Sequence, residues 1–143
     1  MENCIFCKII EKQVLAEILF EDDHIIAILD INPINYGHTL IIPKVHCRDF
    51  LDLPEESYRS VLHAAKIITK ALVIHFNLEG YNLFSNNGSI AGQSVFHFHM
   101  HITPRYREDN IRFVLNLKHY QDGEVKVFGD ALRKTIQSSL QEI

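Results

Sequence analysis

The chain has 143 residues, of which 47% are hydrophobic, and a mean hydropathy close to zero, values that suit one globular domain with a single core. Its net charge of −4, with no long run of either sign, argues against a general nucleic-acid binder and against a protein that attaches to anionic membranes. No apolar run is long enough to span a bilayer and the residues after Met1 do not begin a signal peptide, so we expect a cytoplasmic protein.

The first motif is a pair of cysteines, Cys4 and Cys7, separated by two residues. This spacing occurs in zinc sites and in redox motifs, and two buried free thiols are a third interpretation. A zinc site needs two more ligands, and because no second Cys-x-x-Cys exists, these must be histidines from elsewhere. The remaining cysteine, Cys47, has no partner at a useful spacing and is predicted to pack in the core.

A β-hairpin is predicted in the segment 16–30, where the apolar runs Ile18–Phe20 and Ile25–Leu29 flank a polar turn. Asp30 closes the second strand. A lone carboxylate at such a position usually bonds its own backbone and forms a turn.

A third, buried strand is predicted within Gly37–Lys44, where a glycine turn precedes an aliphatic run that Pro43 ends. His38 stands at the start of this strand. A histidine at a strand end is often simply exposed at the surface.

From Leu53 the period changes to that of one long amphipathic helix, with Pro54 in its first turn and Gly80, after Asn77, at its end. Its predicted apolar face comprises Tyr58, Val61, Leu62, Ala65, Ile68, Leu72 and Phe76. Its predicted polar face comprises Glu55, Arg59, Lys66 and Lys70.

After the helix we predict a short strand, Tyr81–Ser85, and a loop, Asn86–Gly92, that is rich in Asn, Gly and Ser. Backbone amides and short polar side chains in such a loop suit an anion, although ordinary hairpins use the same residues. The loop leads directly into a further strand, so the two strands are expected to pair in one antiparallel sheet.

That further strand is predicted over Val95–Thr103, where histidine and apolar residues alternate. Because a strand shows successive side chains to opposite faces, His97, His99 and His101 share one face. The opposite face, with Phe96, Phe98, Met100 and Ile102, is the predicted core face.

Three aligned imidazoles are compatible with two kinds of chemistry. They can form an open zinc site, or one ring can attack phosphorus while its neighbours donate hydrogen bonds to the phosphoryl oxygens. A polar strand face that happens to consist of histidine is the alternative without function. Beyond Arg105 the pattern weakens to a polar stretch, a mixed run over Ile111–Leu117 and a helical repeat over Val127–Leu140, to which we assign no role.

Two segments carry a resemblance to a known family. Gly92–Arg105, with its His-Phe-His-Met-His core, resembles the histidine triad (HIT) signature, and Gly37–Lys44 resembles the second signature of that family. The similarity extends over residues 3–107 and is greatest to small bacterial Hit proteins, relatives of the Hint nucleoside phosphoramidases. It implies an α+β fold with a mainly antiparallel sheet of about five strands, on which one long helix and shorter helices pack. We expect one domain over 1–143, with its core in 3–107 and an extension in 108–143.

The resemblance implies a nucleotide hydrolase that releases AMP or GMP from phosphoramidates, acyl adenylates or dinucleoside polyphosphates. His99 is then the nucleophile that forms a nucleotidyl-histidine, oriented by the carbonyl of His97. His101 and His38 donate to phosphoryl oxygens, and Ser94 and Gln93 orient the leaving group.

The same resemblance implies a purine nucleotide site. Asp30 accepts hydrogen bonds from the ribose, and the base lies in an apolar slot formed by Ile5, Phe6 and Ile31. The residues implied to contact the phosphate or the leaving group are Asn86, Gln93, Ser94, His99 and His101.

Two further features follow from the resemblance. One is a structural zinc ion held by Cys4, Cys7, His46 and His97, which is not required for the chemistry. The other is a homodimer formed through the long helix and an edge strand. Two alternatives stay open: a zinc-dependent hydrolase that uses the cluster of histidines at 97, 99 and 101, and a nucleotide-binding protein without turnover.

Overall fold

A computed structural model describes residues 3–140, which divide into a unit that ends at Asp109 and a second unit that begins at Asn110. This boundary lies two residues beyond the predicted core. Among the residues described, no helix combines the length and the apolar character needed to cross a membrane.

The first unit is built on one antiparallel sheet of five strands, in the order β1-β2-β3-β5-β4. The strands are β1 (Ile18–Glu21), β2 (Ile25–Leu29), β3 (Thr39–Pro43), β4 (Gly80–Phe84) and β5 (Met100–Arg105). The predicted hairpin, the strand that Pro43 ends and the pairing of β4 with β5 are all confirmed. The α+β fold class predicted from the sequence is therefore correct.

The sheet has apolar side chains on both faces. One face packs against the long helix α2 (Glu55–Phe76), and the other packs against the short helix α1 (Ile5–Ile10). The α2 side contains Ile25, Ala27, Ile41, Cys47, Leu53, Val61, Ala64, Ala65, Ile68, Leu72, Phe98 and Ile102. The α1 side contains Phe6, Ile9, Ile26, Ile28, Leu40 and Ile42. Burial of each large aliphatic side chain contributes about 1.5–3 kcal/mol, so β2 and β3, which supply both clusters, are the centre of the core.

Two details of the predicted helix are wrong. The helix ends at Asn77, which adopts the left-handed conformation (φ 51°) and donates its N–H to the carbonyl of Val73, whereas Gly80 already belongs to β4. Asparagine tolerates this conformation and can close a helix in place of glycine. Tyr58, Leu62 and Phe76 are exposed, although the prediction placed them on the apolar face. The buried stripe of the helix runs instead along Ser57, Val61, Ala64, Ala65, Ile68, Thr69 and Leu72.

The predicted strand of histidines begins later than expected. The stretch before Met100 does not pair in the sheet. It is held instead by a hydrogen bond of 2.7 Å from the backbone N–H of Phe98 to the carbonyl of Cys47. The alternation of faces holds for Phe98, Met100 and Ile102, which pack on the α2 side of the sheet. The prediction that Phe96 is a core residue is wrong, because Phe96 lies before the paired strand and is 44% exposed.

The second unit contains the helix α3 (Glu124–Ser139), which begins at Gly123 in the left-handed conformation and confirms the helical repeat seen in the sequence. Its apolar side chains, including Phe128, Leu132 and Ile136, are exposed. Asp130 pairs with Lys126 and Arg133 one turn away on either side.

Gly37 offers a stability test next to the predicted site. It has φ +85°, and an added Cβ would lie 3.0 Å from Phe76, 3.2 Å from Pro104 and 3.3 Å from Leu72. We expect Gly37→Ala to lower the free energy of unfolding by about 2–4 kcal/mol, since backbone strain and overpacking add.

Gly92→Ala is the control for urea denaturation. Gly92 has nearly the same φ, +88°, in the left-handed region, and an added Cβ would make only ordinary van der Waals contact with Asn86, at 3.5 Å or more. Its loss therefore reports the backbone strain, about 1–2 kcal/mol. Equal losses in the two variants would show that the packing around Gly37 is not tight.

Candidate active site and metal centre

The sheet topology brings three distant polar residues together on the α1 side. Asp30 directly follows β2 and, two residues after Ile28, lies on the same face as Ile26 and Ile28. His38 directly precedes β3. His101 lies opposite Leu40 in the β3–β5 pair. A ligand atom from each of Asp30, His38 and His101 lies within 4.8 Å of the other two.

His99 is buried, with 5% of its surface exposed, and its two ring nitrogens have different roles. Nδ1 lies 2.8 Å from the carbonyl oxygen of His97. A carbonyl can only accept, so Nδ1 carries the proton and Nε2 keeps its lone pair. Burial lowers the pKa of His99, an effect that outweighs the hydrogen bond to His97 and the nearby Asp30 carboxylate. The ring is therefore neutral near pH 7, the state in which an imidazole is a nucleophile.

His38 and His101 form a chain of hydrogen bonds with a defined direction. The backbone N–H of Ile34 donates to Nδ1 of His38 (3.1 Å), so in the neutral ring the proton is on Nε2. Nε2 lies 2.8 Å from Nδ1 of His101 and donates to it. The remaining proton of His101 is then on Nε2, which is buried and has no hydrogen-bond partner among the residues described.

This arrangement bears on the role predicted for His38. Both of its ring nitrogens already have protein partners, so a direct contact with a phosphoryl oxygen stays a prediction. Burial is the main cause that lowers the pKa of His38 and takes that of His101 to about 4. Neighbouring histidines add to the effect at both residues. The neutral tautomers deduced from the hydrogen bonds are thus the stable ones at neutral pH.

Asp30 also forms a turn, as the sequence analysis allowed. Its Oδ1 accepts the backbone N–H of Asn32 at 2.8 Å, and its Oδ2 lies 3.5 Å from Nδ1 of His38. Its side chain is 20% exposed, so the carboxylate retains access to solvent or to a ligand.

The three predicted base-contacting residues differ in their environments. Phe6 is a core residue whose ring packs edge-on against His99, with the ring centroids 5.1 Å apart. Ile31, beside Asp30, is 88% exposed. Ile5 is also exposed and lines a cavity of about 350 Å³ together with Ser94 and Phe96. Core packing therefore accounts for Phe6 but not for Ile5 or Ile31.

Gln93 is buried and organises the loop before β5. Its Oε1 accepts the N–H of Gly88 (2.8 Å), and its Nε2 donates to the carbonyls of Arg48 (2.7 Å) and Val95 (3.1 Å). Both N–H donors of the amide and one of the two lone pairs of its oxygen are thus used within the protein. Asn86 makes a long contact of 3.5 Å to the carbonyl of Gly92, while Ser94 is exposed.

Cys4, Cys7, His46 and His97 converge, as the family resemblance implied, with their ligand atoms within 4.8 Å of one another. Nδ1 of His97 lies 3.4 Å from Sγ of Cys4 and 3.6 Å from Sγ of Cys7, and Nδ1 of His46 lies 3.3 Å from Sγ of Cys7. The two Nδ1 atoms are 3.3 Å apart. A tetrahedral zinc ion separates neighbouring nitrogen and sulfur ligands by roughly 3.3–3.8 Å, as its bond lengths require. The four side chains fit such an ion.

The protonation of these groups also suits a cation. Nε2 of His97 donates to the carbonyl of Pro43 (2.8 Å), which leaves the Nδ1 lone pair facing the cysteines. Burial lowers the pKa of His97 to about 4, so the ring is neutral. Burial, followed by the hydrogen bond with Cys4, raises the pKa of Cys7 to about 11. A bound metal ion would reverse this shift, because coordinating thiols are deprotonated.

The alternative zinc site of His97, His99 and His101 is not among the groups of metal-compatible side chains found in the described part of the chain. The reason is geometric, since Nδ1 of His97 faces the cysteines and Nδ1 of His99 bonds to the backbone. The other convergent group, Asp30 with His38 and His101, is explained by the hydrogen bond that joins the two rings.

Two backbone groups that set the tautomers of His38 and His97 were not predicted from the sequence. The N–H of Ile34 fixes the tautomer of His38, and the carbonyl of Pro43 fixes that of His97. Every residue except proline carries the first group and every residue carries the second, so no residue type could have signalled either role.

The family model described as HIT domain matches residues 11–108. An uncharacterized HIT-like protein of Methanocaldococcus jannaschii is 39% identical over 140 residues, which cover 98% of each chain. The adenosine 5′-monophosphoramidase of Saccharomyces cerevisiae is 42% identical over 73% of this chain and 64% of its own. An adenylylsulfatase of Arabidopsis thaliana is 40% identical over 75% of this chain and 54% of its own.

Solved structures similar to this one include the following two. A HIT family protein from Bacillus anthracis superposes with a TM-score of 0.86 at 39% identity, covering 94% of this chain and 97% of its own. A zinc-bound histidine triad family protein from Mycobacterium smegmatis has a TM-score of 0.73 at 35% identity, covering 82% of this chain and 85% of its own.

The low pKa of His101, about 4 instead of the usual 6.5, makes stability depend on pH. The unfolded chain takes up a proton near pH 6.5, whereas the folded protein resists it until about pH 4. The contribution of His101 to the free energy of unfolding is thus fully present above about pH 6.5 and is lost as the pH falls toward about 4.

We expect the urea midpoint to fall between about pH 7 and about pH 5, and to fall less in His101→Gln, where this residue no longer titrates. Histidines that do not contact His101 are common to both proteins and cancel in the comparison, whereas His38 and His99 interact with His101 and contribute to the difference. An equal fall of the urea midpoint with pH in the wild type and in His101→Gln would show that His101 is not the cause.

Proposed function

Because this chain belongs to the HIT domain family, we propose that it is a hydrolase that releases a nucleoside monophosphate through a covalent nucleotide on Nε2 of His99. The observation that carries the proposal is the bond from Nδ1 of His99 to the carbonyl of His97. It leaves an unprotonated nitrogen on a buried, neutral ring, which is what nucleophilic attack requires.

In the proposed first step, Nε2 of His99 attacks the phosphorus next to the nucleoside. A nitrogen–phosphorus bond forms, and the bond from phosphorus to the leaving group breaks with its electron pair. An amine leaving group takes a proton from water, whereas a sulfate or carboxylate departs as the anion. Water then attacks the same phosphorus, the nitrogen–phosphorus bond breaks with its electron pair returning to Nε2 of His99, and the proton lost by the water passes to solvent. The reaction is thus divided into two easier substitutions.

His101 is assigned the stabilisation of negative charge on the phosphoryl oxygens. Its Nε2–H is buried and has no partner among residues 3–140, so a phosphoryl oxygen would complete its hydrogen bonding. Through the 2.8 Å hydrogen bond between the two rings, His38 keeps His101 in the tautomer that carries its proton on Nε2. In this proposal His38 is a positioning residue.

The nucleotide site is proposed around these residues. Asp30 accepts hydrogen bonds from the ribose, Ile5 and Ile31 offer apolar surface to a purine, and Phe6 supports the His99 ring. Ser94 and Asn86 contact the phosphate or the leaving group. Gln93 shapes the loop that carries them, because its amide is occupied within the protein.

The names of two relatives, a phosphoramidase and an adenylylsulfatase, support a nucleotide with an exchangeable group on its phosphate as the substrate class. A zinc ion at Cys4, Cys7, His46 and His97 is proposed as a structural component, supported by the zinc-bound relative. When bound, it would cross-link α1 to the segment before β5.

The decisive experiment is intact-protein mass spectrometry after mixing with an adenosine phosphoramidate. We expect a transient adenylyl adduct on the wild type and none on His99→Ala, with turnover reduced by at least about a thousandfold. His63→Ala, an exposed histidine of α2, is the control that keeps both the adduct and the rate. AMP binding without adduct or turnover in the wild type would instead identify a nucleotide-binding protein.

A homodimer is proposed from exposed apolar surface. β4 is an edge strand, and a cavity of about 590 Å³ beside it is lined by Leu62 and Val73 of α2 and by Tyr81 and Leu83 of β4. An exposed edge strand with adjacent apolar side chains is a site for pairing with another chain.

We expect Leu83→Glu to convert a dimer into a monomer in size-exclusion chromatography with light scattering, because it places a charge in the apolar contact. Ile74→Glu, an exposed apolar position of α2 that does not line this cavity, should leave the dimer intact. Dissociation by both variants, or by neither, would refute the proposed interface.

A further inference from the structure

His97 takes part in both of the sites described above. Its ring contributes Nδ1 to the metal-compatible cluster and donates from Nε2 to the carbonyl of Pro43. Its own carbonyl oxygen accepts the hydrogen bond from Nδ1 of His99. The residue is fully buried, and so is its neighbour Phe98. Because both side chains are enclosed, we expect a displacement of the His97 ring to displace the backbone of His97 as well.

A second contact connects the same two sites. Phe6 lies directly before Cys7 on α1, and its ring packs edge-on against both His97 (5.9 Å between centroids) and His99 (5.1 Å). α1 has six residues, a length at which a helix is not stable by itself in water. Its position therefore depends on its contacts, among which Cys4 and Cys7 reach the histidines of the cluster.

We propose that metal binding to Cys4, Cys7, His46 and His97 sets the orientation and the tautomer of His99, so that the ligands are positioning residues for the proposed hydrolase as well as supports of the fold. The catalytic part of this inference rests on the proposed hydrolase, whereas the coupling rests only on the proposed metal site. The ligand atoms of the four side chains lie within 4.8 Å of one another, with four of their contacts at 3.3–3.6 Å, so a cation at their centre would be a common partner for all of them.

The consequence for His99 follows from its one backbone bond. When the His97 carbonyl shifts, Nδ1 of His99 loses its acceptor, and the tautomer with the proton on Nε2 becomes populated. In that tautomer the nitrogen that should attack phosphorus has no lone pair to offer. Loss of groups that orient a site from behind typically reduces activity by about 10–100-fold, which is the effect we expect on kcat.

The first test measures the ring nitrogens of His99 by ¹⁵N NMR at one fixed pH. Zinc-loaded protein is compared with the same protein after chelation, and His99→Gln identifies the signals. We expect one tautomer, protonated at Nδ1, in the loaded protein and a mixture after chelation. Identical His99 signals in the two states would overturn the proposal.

The second test uses His46, the exposed ligand of the cluster. His46→Ala should reduce kcat by about 10–100-fold with little change in KM, measured well below the melting temperature. His46→Cys, which supplies another zinc ligand, should restore most of the rate. His63→Ala is the control for loss of an exposed histidine. A lower melting temperature of His46→Ala with an unchanged kcat would show a purely structural metal and overturn the proposal.

The two tests also separate this inference from the proposed function. If the zinc-loaded wild type shows no turnover while the His99 tautomer still responds to zinc, the coupling is supported and the hydrolase is refuted. If turnover and the adduct are present but respond to neither chelation nor His46→Ala, the hydrolase is supported and the coupling is refuted.

Discussion

A single 2.8 Å hydrogen bond, from Nδ1 of His99 to the carbonyl oxygen of His97, determines which nitrogen of the His99 ring keeps its lone pair. The bond forms only while the backbone from His97 to His99 keeps the conformation that places the His97 carbonyl beside the His99 ring. That conformation depends on two hydrogen bonds of the segment before β5. The backbone N–H of Phe98 donates to the carbonyl of Cys47, and the side-chain amide of Gln93 donates to the carbonyl of Val95. The reactivity of one ring is thus a property of a whole backbone segment.

Burial acts on the histidines in the same direction. Desolvation is the largest cause that lowers the pKa of His38, His97, His99 and His101. At His38, His99 and His101 it outweighs the nearby carboxylate of Asp30. All four rings are neutral at neutral pH, so each has one donor and one acceptor nitrogen. A cluster of neutral rings can be arranged in a defined order of donors and acceptors, whereas a cluster of imidazolium ions would repel one another.

Much of the fold was predictable, because its determinants are local. The hairpin, the strand that Pro43 ends and the inward face of Phe98, Met100 and Ile102 all follow from period-two alternation and turn residues. The start of β5 was not predictable from this pattern. A strand and an extended segment outside the sheet show the same alternation, and only the tertiary bond from Phe98 to Cys47 distinguishes them. Gln93 is a similar case. Its place in the sequence matches a ligand-binding position of the family, whereas in the structure its side-chain amide forms hydrogen bonds within the loop.

The residues of the site were predictable, and the family resemblance implied that the His97 carbonyl orients His99, but the tautomers of the other histidines were not predictable. Histidines at positions 38, 97, 99 and 101 stand out in the sequence, yet their tautomers are set by the N–H of Ile34 and by the carbonyls of Pro43 and His97. These groups belong to the backbone, so changes of side chain at residue 34 that leave its N–H in place are expected to preserve the chemistry. Proline is the exception, since it removes the donor. The direction of each hydrogen bond in this cluster, and with it the identity of the attacking nitrogen, is therefore encoded by the fold.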